Sequence, residues 1–167
     1  VVSLQDGLPS YQFYREGTAE RLVTLEMLLV ATPDHSAALL LGSLALTSGA
    51  DADVWAEYFC AQKRKGLLTM LDPNIRASFI PDRGSFMARL ERALAHTDLL
   101  KLSDEDLEWL VPGELDLRKA ARELLKMSGA VLIVVTLGGD GAFALMQNGE
   151  VEVSAKAASV RCLQDTV

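Results

Sequence analysis

An α/β fold, with a mainly parallel sheet covered by helices, is what this sequence predicts, on three observations. Charge-free apolar runs recur at residues 37–42, 67–71 and 130–136, the form taken by strands buried on both faces. Amphipathic segments stand between them, so the strand-helix-strand order implies right-handed crossovers. After Thr136 the rhythm changes to short strands joined by the hairpin signal Gln147-Asn148-Gly149-Glu150.

Taken in order, Tyr11-Gln12-Phe13-Tyr14-Arg15 is aromatic and bounded by turn residues, which favours an extended segment. The run at 37–42 ends in Gly42-Ser43 and reads as a strand, with a helix as the alternative. Asp51 or Asp53 caps a helix carrying Val54, Trp55, Tyr58 and Phe59. That helix closes on Lys63-Arg64-Lys65-Gly66, bases and then glycine, as the macrodipole and a C-cap prefer. Residues 67–71 form a second buried strand. Beyond Pro81-Asp82, Met87, Leu90 and Leu94 recur at helical spacing and predict a helix to about His96. Asp98-Leu99-Leu100-Lys101 is a short strand. Ser103, with Asp106 three residues on, resembles a capping box with Asp in place of Glu and opens a helix through Trp109 and Leu110. Leu117, Ala121, Leu124 and Leu125 share one side of a further helix, which ends near Ser128-Gly129. The β-branched run 130–136 is the plainest strand, and short strands follow at 142–146 and 150–154.

The chain of 167 residues is 50% hydrophobic, enough for one core. Its 16 Lys+Arg against 23 Asp+Glu leave a net charge of −7, which opposes a nucleic-acid partner. No apolar run approaches the roughly 20 residues that cross a bilayer, and the opening has no basic n-region, so a membrane partner is not expected. Cys60 and Cys162 stand outside any Cys-x-x-Cys pattern and read as reduced, packed thiols of a cytoplasmic protein. His35 and His96 are too isolated for a zinc site. The chain opens in the strand-like Val1-Val2-Ser3-Leu4 and stops at Asp165-Thr166-Val167. A single core over residues 1–167, incomplete at both ends, is the expectation.

Ligands of open parallel sheets lie beyond the carboxyl ends of the strands. Four polar segments stand there: Gly42-Ser43, Asp72-Pro73-Asn74-Ile75-Arg76, Lys101-Leu102-Ser103-Asp104-Glu105-Asp106 and Thr136-Leu137-Gly138-Gly139-Asp140-Gly141. In the second, a carboxylate and an amide suit hydroxyls and a guanidinium suits an anion, while an Asp-Pro turn with a surface Arg fits equally well. The acids at 104–106 suit a hydrated Mg²⁺, but helix first turns are rich in acids for dipole reasons alone, and locally the helix reading is preferred. The glycines after Thr136 admit a flat ring or a phosphate, although they match neither the dinucleotide fingerprint nor a P-loop and by themselves read as a tight turn.

Together and in order these segments resemble the ribokinase-like carbohydrate kinases, most closely their fructokinase branch. Pro9-Ser10-Tyr11-Gln12-Phe13-Tyr14-Arg15 looks like the lid segment, within residues 1–19, from which an aromatic pair and an Arg approach the sugar. Asp72-Pro73-Asn74-Ile75-Arg76 is similar to the fructokinase Asp-x-Asn-x-Arg signature. Lys101 to Asp106 resembles the branch's form of an Asn-x-x-Glu motif, with Ser103 for Asn and Asp106 for Glu. Residues 135–142 are similar to the nucleotide segment. The resemblance implies a ribokinase-like sheet with helices on both faces and a small β-sheet lid. It implies that Phe13, Arg15, Gly42, Asp72, Asn74 and Arg76 meet the sugar, that Lys101, Ser103, Thr136, Gly138 and Gly141 lie along ATP, and that Asp106 serves Mg²⁺.

Asp165-Thr166-Val167 matches the opening of a second signature that continues Gly-Ala-Gly-Asp, so the resemblance places the general base beyond Val167 and no catalytic residue within the chain. The implied activity is ATP-dependent phosphorylation of a sugar hydroxyl, with fructose as the acceptor and no turnover for material ending at Val167. The alternatives are a 2-keto-3-deoxygluconate kinase, which usually carries Tyr where Phe13 stands, and a non-catalytic sugar- or nucleotide-binding member. The lid's apolar face serves either a homodimer contact or a cover for the sugar.

Overall fold

The computed structural model describes residues 2–5, 8–11, 14–148 and 152–159. Phe13, the Gly149-Glu150 part of the hairpin signal, Cys162 and Asp165-Thr166-Val167 lie outside them. Strands β1 (Val2–Gln5) and β2 (Leu8–Tyr11) pair antiparallel as a separate two-stranded sheet, the small sheet expected of a lid. Pro9 is accommodated there because both strands of such a sheet are edges. In the aromatic stretch Tyr11 belongs to β2, Tyr14 and Arg15 lie outside any strand, and residues 12 and 13 are not among those described. Next come a 3-10 turn at Ala19–Leu22 and helix α1 (Leu25–Ala31), capped by the Thr24 hydroxyl, which accepts the Met27 N–H at 3.2 Å. The sequence reading did not anticipate this helix. It buries no residue fully: Leu25, Leu28 and Leu29, at i, i+3 and i+4, are only half-buried.

The main sheet holds β3 (Ala38–Gly42), β4 (Leu68–Asp72), β5 (Leu99–Ser103), β6 (Leu132–Thr136), β7 (Ala142–Met146) and β8 (Glu152–Ala155) in chain order. The first four are parallel, and β7 and β8 add antiparallel. The crossovers are α2 (Ala50–Arg64), α3 (Arg83–Leu94) and the pair α4 (Asp104–Leu110) and α5 (Leu117–Met127). Asp82 and Asp116 cap α3 and α5 through two backbone N–H groups each. Helix α2 starts on Gly49 rather than on an acid, which corrects the expected cap: Asp51 sits inside the first turn, drawn to arginines described below.

Strands laid side by side in chain order, with crossovers of one hand, bring every connecting helix to the same face. Under that face Leu41, Leu71, Leu100, Ile133 and Leu145 form one aligned row, each at most 3% exposed. Phe59, Phe86, Leu90, Ala121 and Leu124 of the helices are buried in the same core. Each such Leu, Ile or Phe contributes about 1.5–3 kcal/mol by leaving water. Trp55 and Trp109 pack against this core, as their helical spacing suggests. Of the two expected helix layers the described residues supply this one. The opposite row, Leu40, Met70, Leu99, Leu132 and Met146, is half-open, with Leu40 at 64% exposure. No helix among the described residues is long and apolar enough to cross a membrane.

At the amino ends of the strands Asp98 ties β4, β5 and α2 together. Its carboxylate accepts the Thr69 N–H at 2.9 Å and the Lys63 ammonium. Burial pushes this carboxyl up, but Lys63 and the Thr69 N–H and hydroxyl outweigh that and hold it below the ordinary aspartate value. A depressed carboxyl contributes stability above its unfolded pKa and loses it as pH falls through the folded one. Asp98→Asn is therefore expected to cost about 1.5–3 kcal/mol at pH 7. The gap between variant and wild type in denaturant unfolding should begin to narrow as the pH drops below about 3.9 and should close only below the lower folded-state pKa. A gap that persists in acid would show that the charge is not what stabilises the junction.

Candidate functional site

Parallel register places the last residues of four strands along one edge. Gly42 of β3 pairs with Asp72 of β4, and Ser103 of β5 with Thr136 of β6. These residues close their strands because the chain turns polar there: Gly-Ser, Asp-Pro, Ser-Asp and Thr-Leu-Gly-Gly follow. Asp72 and Lys101 lie on the half-open face and form an ion pair, Nζ to Oδ2 at 3.0 Å. The other oxygen, Asp72 Oδ1, is buried with no hydrogen-bond partner.

The loop beyond Asp72 is sharply bent. Pro73 is buried, and Asn74 has φ 39°, the single non-glycine positive φ among the described residues. Asn tolerates that left-handed conformation better than other side chains because its short amide bonds locally. Ile75 follows with its N–H on Asp106 Oδ1 at 2.6 Å. Arg76 is exposed; its guanidinium reaches the Ile75 carbonyl at 3.1 Å and makes no ion pair among the described residues.

The capping box read from the sequence forms in full. Asp106 N donates to Ser103 Oγ, and Ser103 N donates to Asp106 Oδ2, both at 3.1 Å. With Ile75 on its second oxygen, the 4%-exposed Asp106 gives both carboxylate oxygens to backbone N–H groups. No three His, Cys, Asp or Glu side chains among the described residues are grouped to hold a metal. Asp106, expected from the sequence to serve Mg²⁺, here has both carboxylate oxygens on backbone N–H groups.

Arg15 is held by residues of its own segment and of the turn after β3. Its guanidinium donates to Thr47 Oγ1 at 2.6 Å, meets Asp51 Oδ2 at 3.4 Å and pairs with Glu20. Arg21 takes the other oxygen of Asp51 at 2.8 Å and the Ser48 carbonyl. Asp51, 3% exposed, is thus held between two arginines that clamp residues 15–21 onto the turn after β3. Gly49 permits this: at φ +91° a Cβ would lie 2.6 Å from Arg21 Nη1 and from Asp51 Oδ1. Sequence reasoning took Asp51 for a cap, since nothing local to residue 51 signals arginines 30 and 36 positions away.

On the far side, Thr136 Oγ1 donates to the Leu102 carbonyl at 3.4 Å, and a 3-10 turn covers Gly138–Asp140. Gly138, at φ +54°, and Gly139 face open space. Gly141 does not: at φ +101° a Cβ would lie 2.0 Å from the Ala155 carbonyl oxygen. Its carbonyl accepts the Leu137 N–H at 2.7 Å, closing the turn. Arg118 and Arg122 of α5 pair with Glu152 of β8, so the strand against Gly141 is itself clasped.

Known proteins resemble the chain in sequence and in fold. A family model described as pfkB family carbohydrate kinase matches residues 5–161. A fructokinase of Rhizobium leguminosarum bv. trifolii is 36% identical over 160 residues, covering 95% of this chain and 48% of that protein. Fructokinase-2 of Zea mays is 27% identical over 141 residues, covering 84% and 42%. Among solved structures, the fructokinase of Xylella fastidiosa with bound ATP has a TM-score of 0.79 at 24% identity, covering 98% of this chain and 50% of that one. The chain spans about half the length of the curated relatives it matches.

The two positive-φ glycines of the turn have separable roles. Gly141→Ala adds both a backbone strain and a collision with β8 and should cost several kcal/mol, on the order of 3. Gly138→Ala adds the strain alone, about 1–2 kcal/mol. Denaturant unfolding of the two variants measures the difference, and equal losses would mean that Ala155 does not hold the turn.

Proposed function

Since the chain belongs to the pfkB family of carbohydrate kinases, we propose that the protein transfers the terminal phosphoryl group of ATP to a sugar hydroxyl, with fructose as the acceptor. The observation that carries this reading is the buried, partnerless Asp72 Oδ1 at the carboxyl edge of the sheet. A buried acceptor without a donor is costly, and a sugar hydroxyl supplies the donor. Asn74, two residues on, offers both an amide donor and an acceptor to neighbouring hydroxyls. Gly42, without a side chain at the adjoining strand end, leaves room for the ring.

The nucleotide lies on the other half of the edge, along Thr136, Gly138 and Gly141. The open space at Gly138 and Gly139 suits close approach of a flat or anionic group, and Lys101 and Ser103 stand on the strand between the two halves. ATP supplies the phosphoryl group. The residues of this chain contribute by holding the acceptor and neutralising charge between acceptor and donor, which is most of what such transfers ask of a protein. Phe13 and Arg15 belong to the lid side of the proposal. The β1–β2 sheet either covers the sugar or joins a second copy in a homodimer, and the protein is cytoplasmic.

Fructose is preferred over 2-keto-3-deoxygluconate because the charge of Arg15 is already balanced by Glu20 and Asp51, with Thr47 accepting from a third N–H donor. An acceptor carboxylate would need a guanidinium free for a forked pair. This leaves Arg76 alone for an anion, and a neutral sugar needs neither. The similarity to a fructokinase at 36% identity supports the same choice.

A sugar-dependent ADP assay of the full-length protein tests the reading, with fructose, ribose and 2-keto-3-deoxygluconate as acceptors. Fructose should give the highest kcat/KM, and Asp72→Ala should raise the fructose KM by about tenfold or more. Preference for the keto acid, or no sugar-dependent ADP at all, would reject it.

A further inference from the structure

A capping box ordinarily uses one oxygen of its acidic residue, which reaches back to the N–H of the cap. Asp106 uses both. Oδ2 takes the Ser103 N–H within the box, and Oδ1 leaves the helix to take the Ile75 N–H, 31 residues away in the loop after β4. The bond to Ile75 joins the two halves of the edge, because Asp106 belongs to α4 beyond β5 while Ile75 sits between Asn74 and Arg76. Fixing the Ile75 N–H fixes the peptide plane that follows Asn74, whose φ of 39° is the loop's sparsely populated conformation. Two residues earlier, Lys101 of β5 holds Asp72. The loop is thus pinned at both ends by β5 and α4, with the Asn74 side chain between the pins.

We propose that Asp106 is a positioning residue that sets the loop from Asp72 to Arg76 for the sugar acceptor, and is not a ligand of the divalent cation that accompanies ATP. The proposal rests on the reading of that loop as the acceptor site. The size of the side chain supports it. An Asp at this position reaches both N–H groups while 4% exposed, and the extra methylene of Glu would have to find room in a closed site. A cation ligand, by contrast, keeps an oxygen toward solvent or phosphate and tolerates Glu for Asp.

The test uses Asp106→Asn, which keeps the size but replaces one acceptor with a donor, and Asp106→Glu, which keeps the charge but not the reach. Asp116→Ala serves as a stability control, since Asp116 caps α5 away from the edge. Amide hydrogen exchange is read at Ile75 without substrates, and KM for fructose, KM for ATP and the Mg²⁺ dependence are measured on the full-length protein. The expected result is faster Ile75 exchange and a fructose KM raised about tenfold or more in both Asp106 variants. ATP KM and Mg²⁺ dependence should stay as in wild type, and Asp116→Ala should change neither Ile75 exchange nor the fructose KM. Unchanged Ile75 exchange in Asp106→Asn overturns the proposal. A raised Mg²⁺ requirement with an unchanged fructose KM, restored by Asp106→Glu, overturns it in favour of a metal ligand. Wild-type protein that forms no ADP with any sugar rejects the kinase reading instead, while faster Ile75 exchange in the variants would still support the strut.

Discussion

Parallel register across β3 to β6 governs where every polar group of the edge can stand. Leu41, Leu71, Leu100 and Ile133 lie in one row under the helices, each buried, and side chains alternate faces with a period of two. A slip of one residue in β4 or β5 could carry Asp72 or Lys101 into that row and its leucine out. Burying an unpaired charge there costs far more than a leucine regains, so the core selects a single register. The alignment of Gly42 with Asp72, and of Ser103 with Thr136, follows from hydrophobic burial at neighbouring positions. The chemistry of the edge is thus placed by residues that take no part in it.

The acids of the chain divide by how completely they are satisfied. Asp51 lies between Arg15 and Arg21, Asp98 between Lys63 and Thr69, and Asp106 between two backbone N–H groups. Each has both oxygens engaged, as a buried carboxylate requires. Asp72 departs from this pattern, with one oxygen on Lys101 and the other buried without a donor. An unmet acceptor costs about 1–3 kcal/mol in the free protein. A fold that satisfies three other acids in full leaves this buried oxygen, at the strand ends, without a donor.

Much of the architecture was legible because the strongest signals were also the energetically dominant ones. The apolar runs at 37–42, 67–71 and 130–136 became β3, β4 and β6 within a residue or two. The Ser103 to Asp106 spacing became a true capping box. What escaped was held by long-range contact or by little burial at all. Helix α1 is short, and its Leu25, Leu28 and Leu29 are only half-buried, so its stripe is brief beside the long apolar runs of the strands. Asp51 looks like a cap until Arg15 and Arg21 fold back over it, and those arginines carry no mark of their partner in sequence. The second bond of Asp106 is of the same kind: the motif shows the box, and only the fold brings Ile75 to its free oxygen.

The half-open face bears on how strong the Lys101–Asp72 pair is. With the Lys101 side chain 40% exposed and that of Asp72 27% exposed, water screens the pair, and such pairs contribute roughly 0–1 kcal/mol. The row Leu40, Met70, Leu99, Leu132 and Met146 runs beside it on the same face. Any layer laid over that row would lower the local dielectric, strengthen the attraction and raise the cost of leaving Asp72 Oδ1 unmet. Covering the apolar row and filling the acceptor site therefore favour one another, because each makes the other's electrostatics more consequential. On the proposed reading of Asp72 as an acceptor contact, an apolar row on a sheet face would bear on the recognition of a polar ligand without touching it.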